Sequence, residues 1–79
     1  MNAEEAQSVR GLLLQHDVEY RQLDEQHHEL DHRLHQLTDK PYLSISEQQQ
    51  EATLKKRKLA VKDRMEHIAR TYAASGQAS

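Results

Sequence analysis

Residues 28–32 read His-Glu-Leu-Asp-His, the spacing of the H-E-x-x-H zinc proteases. Two histidines one helical turn apart can grip a zinc ion from one helix face, with the adjacent glutamate serving as base for a metal-bound water. His35 lies on the same face, so His28, His32 and His35 are the metal-ligand candidates of the chain. Zinc hydrolysis also needs an open coordination position and a shaped, partly desolvated cavity. Three donors on one straight helix do not readily meet tetrahedral angles, and nothing nearby predicts a cleft. A second kind of chemistry is offered by Lys55-Lys56-Arg57-Lys58, followed by Lys62 and Arg64, a block able to touch phosphates. No aromatic accompanies it for base stacking.

The elements that carry these residues are read from apolar spacing. Val9, Leu13, His16, Tyr20, Leu23, His27, Leu30, Leu34 and Leu37 recur at steps of four and three, the repeat of a helix packing along a coiled-coil seam. The spacing predicts one helix over about 3–37, with Asn2 and Glu5 at capping-box distance and Gly11 weakening its first turns. Taking Leu23, His27, Leu30, Leu34 and Leu37 as inward, the imidazoles of His28, His32 and His35 fall roughly 120–180° away, in solvent.

Thr38-Asp39-Lys40-Pro41 stops the pattern, because Pro41 has no amide donor and pushes Lys40 out of helical dihedrals. A turn over 38–43 follows, with Tyr42 expected to pack over it beside Leu37 and Leu43. Ser44 and Glu47 have capping-box spacing, and Leu54, Lys58, Val61, Met65, Ile68 and Tyr72 repeat at four and three. A second helix is therefore expected over about 45–74, leaving 75–79 as a disordered tail.

Folding about Lys40 and Pro41 gives an all-α chain, an antiparallel two-helix coiled-coil hairpin forming one domain over 1–79. Its intra-hairpin seam holds Leu13, Tyr20, Leu23, His27, Leu30, Leu34, Leu54, Val61, Met65 and Ile68, with Tyr20 near Val61 and Leu13 near Ile68. Residues 1–37 carry eight acidic and three basic side chains and 44–79 four and seven, so the two halves attract. The basic block is expected beside Asp24, Glu25 and Glu29. Because His16 and His27 both occupy the seam, protonation below about pH 6.5 would place charge between the helices and loosen them.

A lone hairpin leaves apolar side chains unassigned. Ile45, Ala52 and Leu59 form a heptad-spaced line opposite the second helix's seam, and Leu14 and Val18 lie off the first helix's seam. These five are the oligomer-interface candidates, and they point to a self-associated helical bundle.

Composition narrows the function classes. A 79-residue chain with no Cys, Phe or Trp has neither disulfides nor a bulky core, so association would stabilise it. The acidic start MNAEEAQSVRG is unlike a secretory signal and no stretch approaches a membrane span, so the expectation is a cytoplasmic protein without membrane contact. A net charge of −2 exerts no general pull on nucleic acid.

Taken together, His27-x-x-Leu30-Asp31, the turn Lys40-Pro41-Tyr42-Leu43-Ser44, and the run from Leu54 to Met65 resemble the small bacterial YdcH-like family of helical hairpins. The resemblance spans about Glu25 to Ile68. It implies a short coiled-coil protein of uncharacterised role and carries over no catalytic residue and no cofactor. Ile45 stands where that family often has proline, and the histidines at 28, 32 and 35 are not part of its pattern. The reading is a non-enzymatic coiled-coil protein-interaction module, a homo-oligomer with room for an unidentified coiled-coil partner. The alternatives are a nucleic-acid-binding hairpin using Lys55–Lys58 and, more remotely, a metal-binding protein using the HELDH string.

Overall fold

The structure, a computed structural model, describes residues 2–76. It is all-α, with α1 at Ala3–His16, α2 at Val18–Thr38 and α3 at Ile45–Gly76, in a body 53 Å long. No described helix is long and apolar enough to cross a membrane.

Three helices stand where the heptads predict two. The break is at Asp17, whose backbone is extended (φ −112°, ψ 114°). Its amide donates to the Leu13 carbonyl at 2.8 Å, closing α1, while its Oδ1 accepts the Tyr20 amide at 2.8 Å, opening α2. One aspartate thus satisfies orphan groups at two helix ends. Arg10 and Asp24, symmetric about Asp17, meet at 2.7 Å. In a straight helix the same residues would sit about 21 Å apart along the axis, so α1 doubles back over α2. This bend buries Val9 (0% exposed) and Leu13 (3%) with Tyr20 and Met65.

The rotation of α1 changes two assignments. His16, placed on the seam by its spacing, is exposed at the end of α1. Leu14, placed off the seam as an interface candidate, is half-buried against the Val9–Met65 cluster of its own chain. Both follow from the loss of a common helix axis at Asp17.

Asn2 Oδ1 accepts the Glu5 amide at 2.8 Å and caps α1, and Glu4 and Glu5 complement the positive end of its dipole. Gly11 is exposed and a Cβ there would meet no atom within 4 Å. Its φ is not positive. Gly11→Ala is therefore expected to stabilise the chain by about 0.5–1 kcal/mol, read as a higher urea midpoint with an unchanged slope.

After Thr38 the chain crosses residues 39–44, with the Lys40 amide donating to the Leu37 carbonyl at 3.1 Å. Ser44 and Glu47 then close a reciprocal capping box: the Glu47 amide donates to Ser44 Oγ at 3.1 Å, and the Ser44 amide to Glu47 Oε1 at 3.0 Å. Glu47 also accepts from the Lys40 ammonium. The Lys40 hydrogen bond, with those from Ser44, holds the Glu47 carboxyl down at about 2. Tyr42, expected to cover the turn, is 88% exposed, while Leu43 alone packs onto the cluster beneath.

Arg64–Glu19 and Lys58–Asp31 pairs set α2 and α3 side by side in opposite directions. Lys58 meets Asp31 rather than the Asp24–Glu29 stretch. The midpoint of the connection 39–44 falls just past Pro41, which sets Glu19 opposite Arg64. Two apolar clusters result. Leu34, Leu37 and Leu54 close the loop end with Leu30 alongside, and Val9, Leu13, Tyr20 and Met65 close the other end with Leu23, Val61 and Ile68 around them. Helix α3 continues through Gly76, two residues past the expected stop and into the expected tail. Residues 77–79 of that tail lie outside the described residues.

Candidate functional site

The HELDH imidazoles sit on the outer face of α2. His28, His32 and His35 are all exposed. His28 Nδ1 donates to the Asp24 carbonyl at 2.7 Å and His35 Nδ1 to the Asp31 carbonyl at 2.8 Å, while the Gln36 amide lies 3.2 Å from His32 Nε2. Each ring thus bonds within its own helix. Among the described residues no group of three His, Cys, Asp or Glu side chains is placed to hold a metal ion.

The basic block is partly neutralised. Lys55 reaches Glu51 at 3.5 Å, Lys58 bonds Asp31, and Arg64 holds Glu19 through Nε at 3.0 Å and Nη2 at 3.2 Å. Lys58 donates to the Asp31 carboxylate and keeps it below the usual carboxylate range. A phosphate backbone would have to compete with these carboxylates for half of the block.

Of the five interface candidates, four remain on the outside. Ile45 is 77% exposed, Leu59 60% and Val18 59%, and Ala52 is exposed between Ile45 and Leu59 on α3. Helix α3 buries Leu54 and Met65 on its inner side, so it carries a second apolar line that its own chain leaves bare.

A groove of about 420 Å³ opens where α1, α2 and α3 converge, with Tyr20 and Met65 in its floor and Arg10, His27, Lys58 and Lys62 at its rim. Spacing alone missed this groove, because it exists only when α1 folds back. A signal for it was present: Asp17 is a residue type favoured at N-caps, and Glu19 supplies the acid of a first turn.

His27 is half-buried at that rim. Burial, and then the nearby Lys58 charge, pull its pKa below the ordinary value near 6.5; His28 adds to this, and Asp31 and Asp24 oppose it. A base whose folded pKa lies below its unfolded pKa contributes stability in full above the unfolded value, which is lost as pH falls toward the folded one. The urea midpoint is expected to drop between pH 7.5 and 5.5, and His27→Gln to remove that part of the drop.

Residues 19–69 match a family model described as Protein of unknown function (DUF465). The chain belongs to this family. No curated protein and no solved structure shows a match. The DUF465 match begins just past Asp17 and covers α2 and most of α3, so it takes in the capping box, both outer ends of the Ile45–Leu59 line and the HELDH face. It agrees with the YdcH-like resemblance, which also names a small uncharacterised family. Helix α1 precedes the matched region.

Proposed function

We propose that this DUF465 chain is a non-enzymatic coiled-coil protein-interaction module that self-associates through the outer face of α3. The observation that carries the reading is the bare heptad-spaced line Ile45, Ala52 and Leu59, two of its members more than half exposed on a helix already anchored by its opposite side. Helices that bury one stripe and expose another gain from a further helix laid along the second.

A second copy fits that line by its spacing. Two α3 helices running antiparallel about Ala52 set Ile45 of one against Leu59 of the other. The contact is isologous, so it closes as a dimer. Small chains of this size gain stability from such burial.

The test is sedimentation equilibrium of the wild type beside an Ile45→Glu/Leu59→Glu variant. The wild type is expected to weigh more than one chain and the variant one chain, with far-UV helicity unchanged because neither side chain supports the intramolecular core. A wild type of single-chain mass at high concentration would exclude the reading.

A further inference from the structure

The groove where the three helices converge has a floor and a rim of different chemistry. Tyr20 and Met65 form its floor, and Ala6 on α1 and Ala69 on α3 line it with no more than a methyl group each. The space they leave is about 420 Å³ and mostly apolar. A concave apolar surface with a few polar groups at its edge is the usual form of a small-molecule site.

The partners of the rim groups decide its charge. Arg10 is held to Asp24 at 2.7 Å and Lys58 to Asp31, while Glu66, the one acid of the lining, lies 3.5 Å from Arg70. Lys62 is exposed at the rim and joins no ion pair among the described residues. The half-buried His27 ring stands edge-on to that of His28, 6.2 Å between centres, and has no hydrogen-bond partner among the described residues. One uncompensated positive charge and one imidazole free to donate thus border an apolar floor. A polyanion would find a single free cation there. A molecule with one negative charge at the end of an apolar tail matches both parts, the tail by area removed from water and the head by a charge-assisted hydrogen bond.

We propose that this groove binds a free single-chain amphiphile with a monoanionic head, of the alkyl carboxylate class. The tail lies over Tyr20 and Met65 between Ala6 and Ala69, and the carboxylate meets Lys62 and His27. The inference goes beyond the α3 contact and does not depend on it, since Ile45, Ala52 and Leu59 do not line the groove.

The probe is octanoate, titrated into the chain at neutral pH and followed by nuclear magnetic resonance. Saturable shifts are expected at the Ala6, Met65 and Ala69 methyls and the His27 ring. Octyl glucoside, the same tail with a neutral head, is expected to bind about fivefold more weakly, and acetate, the head without the tail, not to saturate. Lys62→Glu should weaken octanoate about tenfold, through loss of one exposed ion pair and a repulsion of similar size, whereas Lys62→Arg keeps the charge and should stay within about twofold. Both changes are at an exposed position, and unchanged far-UV helicity checks that they fold. The Ile45→Glu/Leu59→Glu chain should bind octanoate as the wild type does, whether or not the wild type self-associates. The inference is overturned if octanoate does not saturate, if octyl glucoside binds as tightly, or if Lys62→Glu leaves the affinity unchanged. Shifts centred on Ile45, Ala52 and Leu59 instead of the groove would overturn it equally.

Discussion

Leu54→Ala is expected to leave the chain largely unfolded at 25 °C. Leu54 is 4% exposed and joins Leu34 and Leu37 as the whole of the buried cluster at the loop end. Truncating a buried leucine costs about 2–5 kcal/mol, through the lost transfer free energy and the cavity left behind. A core of this size rarely supplies more than about 3–5 kcal/mol, so the loss is comparable to the whole margin. With only Leu30 and Leu43 packed alongside, little can collapse into the hole. Circular dichroism at 222 nm with a urea titration checks this. A cooperative transition moved by less than about 1 kcal/mol would show that the α2–α3 packing is not where the stability resides.

Leu13→Asp is expected to act differently, releasing α1 while α2 and α3 stay folded. Leu13 is 3% exposed inside the upper cluster, that of Val9, Leu13, Tyr20 and Met65 away from the loop, where a carboxylate has no partner to offset its desolvation. The chain avoids that cost by undocking α1 at Asp17. A fourteen-residue helix separated from its seat is marginal in water, so the helical signal should fall by about a fifth, the share of α1 in the described helices. Trypsin should then cut rapidly after Arg10, which the wild type holds against Asp24. Loss of the entire helical signal would mean that α1 and the α2–α3 pair fold as one unit.

The two variants differ in outcome because the clusters differ in how the chain reaches them. The loop-end cluster is local to the Leu37–Ser44 reversal, where spacing and capping residues agree. The upper cluster depends on a bend that spacing does not require.

Much of the fold was legible for that reason. The leucine repeat from Leu23 to Leu37 and the repeat from Leu54 to Ile68 gave the inner faces, and Pro41 with the Ser44–Glu47 box gave the reversal. Asp17 was not legible as a break, because helix interior and N-cap differ by only about 1 kcal/mol for one aspartate. Packing of Val9 and Leu13 onto Tyr20 and Met65 decides between them, and that is a long-range term. Every departure at the N-terminal end descends from this: exposed His16, half-buried Leu14 and the groove rimmed by Arg10. Tyr42 departs for another cause, since a turn residue between Pro41 and Leu43 has its direction set by backbone dihedrals that spacing does not encode.

For the candidate site, the outer line of α3 was readable because heptad spacing holds on any face of a long straight helix. The HELDH string was readable as an outward face by the same arithmetic. Which charges of Lys55–Lys58 are engaged was not, because the Lys58–Asp31 pair depends on a register that the loop fixes only to within a turn or two.

The proposal that α3 pairs with α3 is tested most directly by mixing isotope-labelled and unlabelled chains and recording proton contacts between copies. Contacts from the Ile45 methyls of one copy to the Leu59 methyls of the other, with Ala52 against Ala52, are predicted. Intermolecular contacts confined to other surfaces, or none at millimolar concentration, would contradict it.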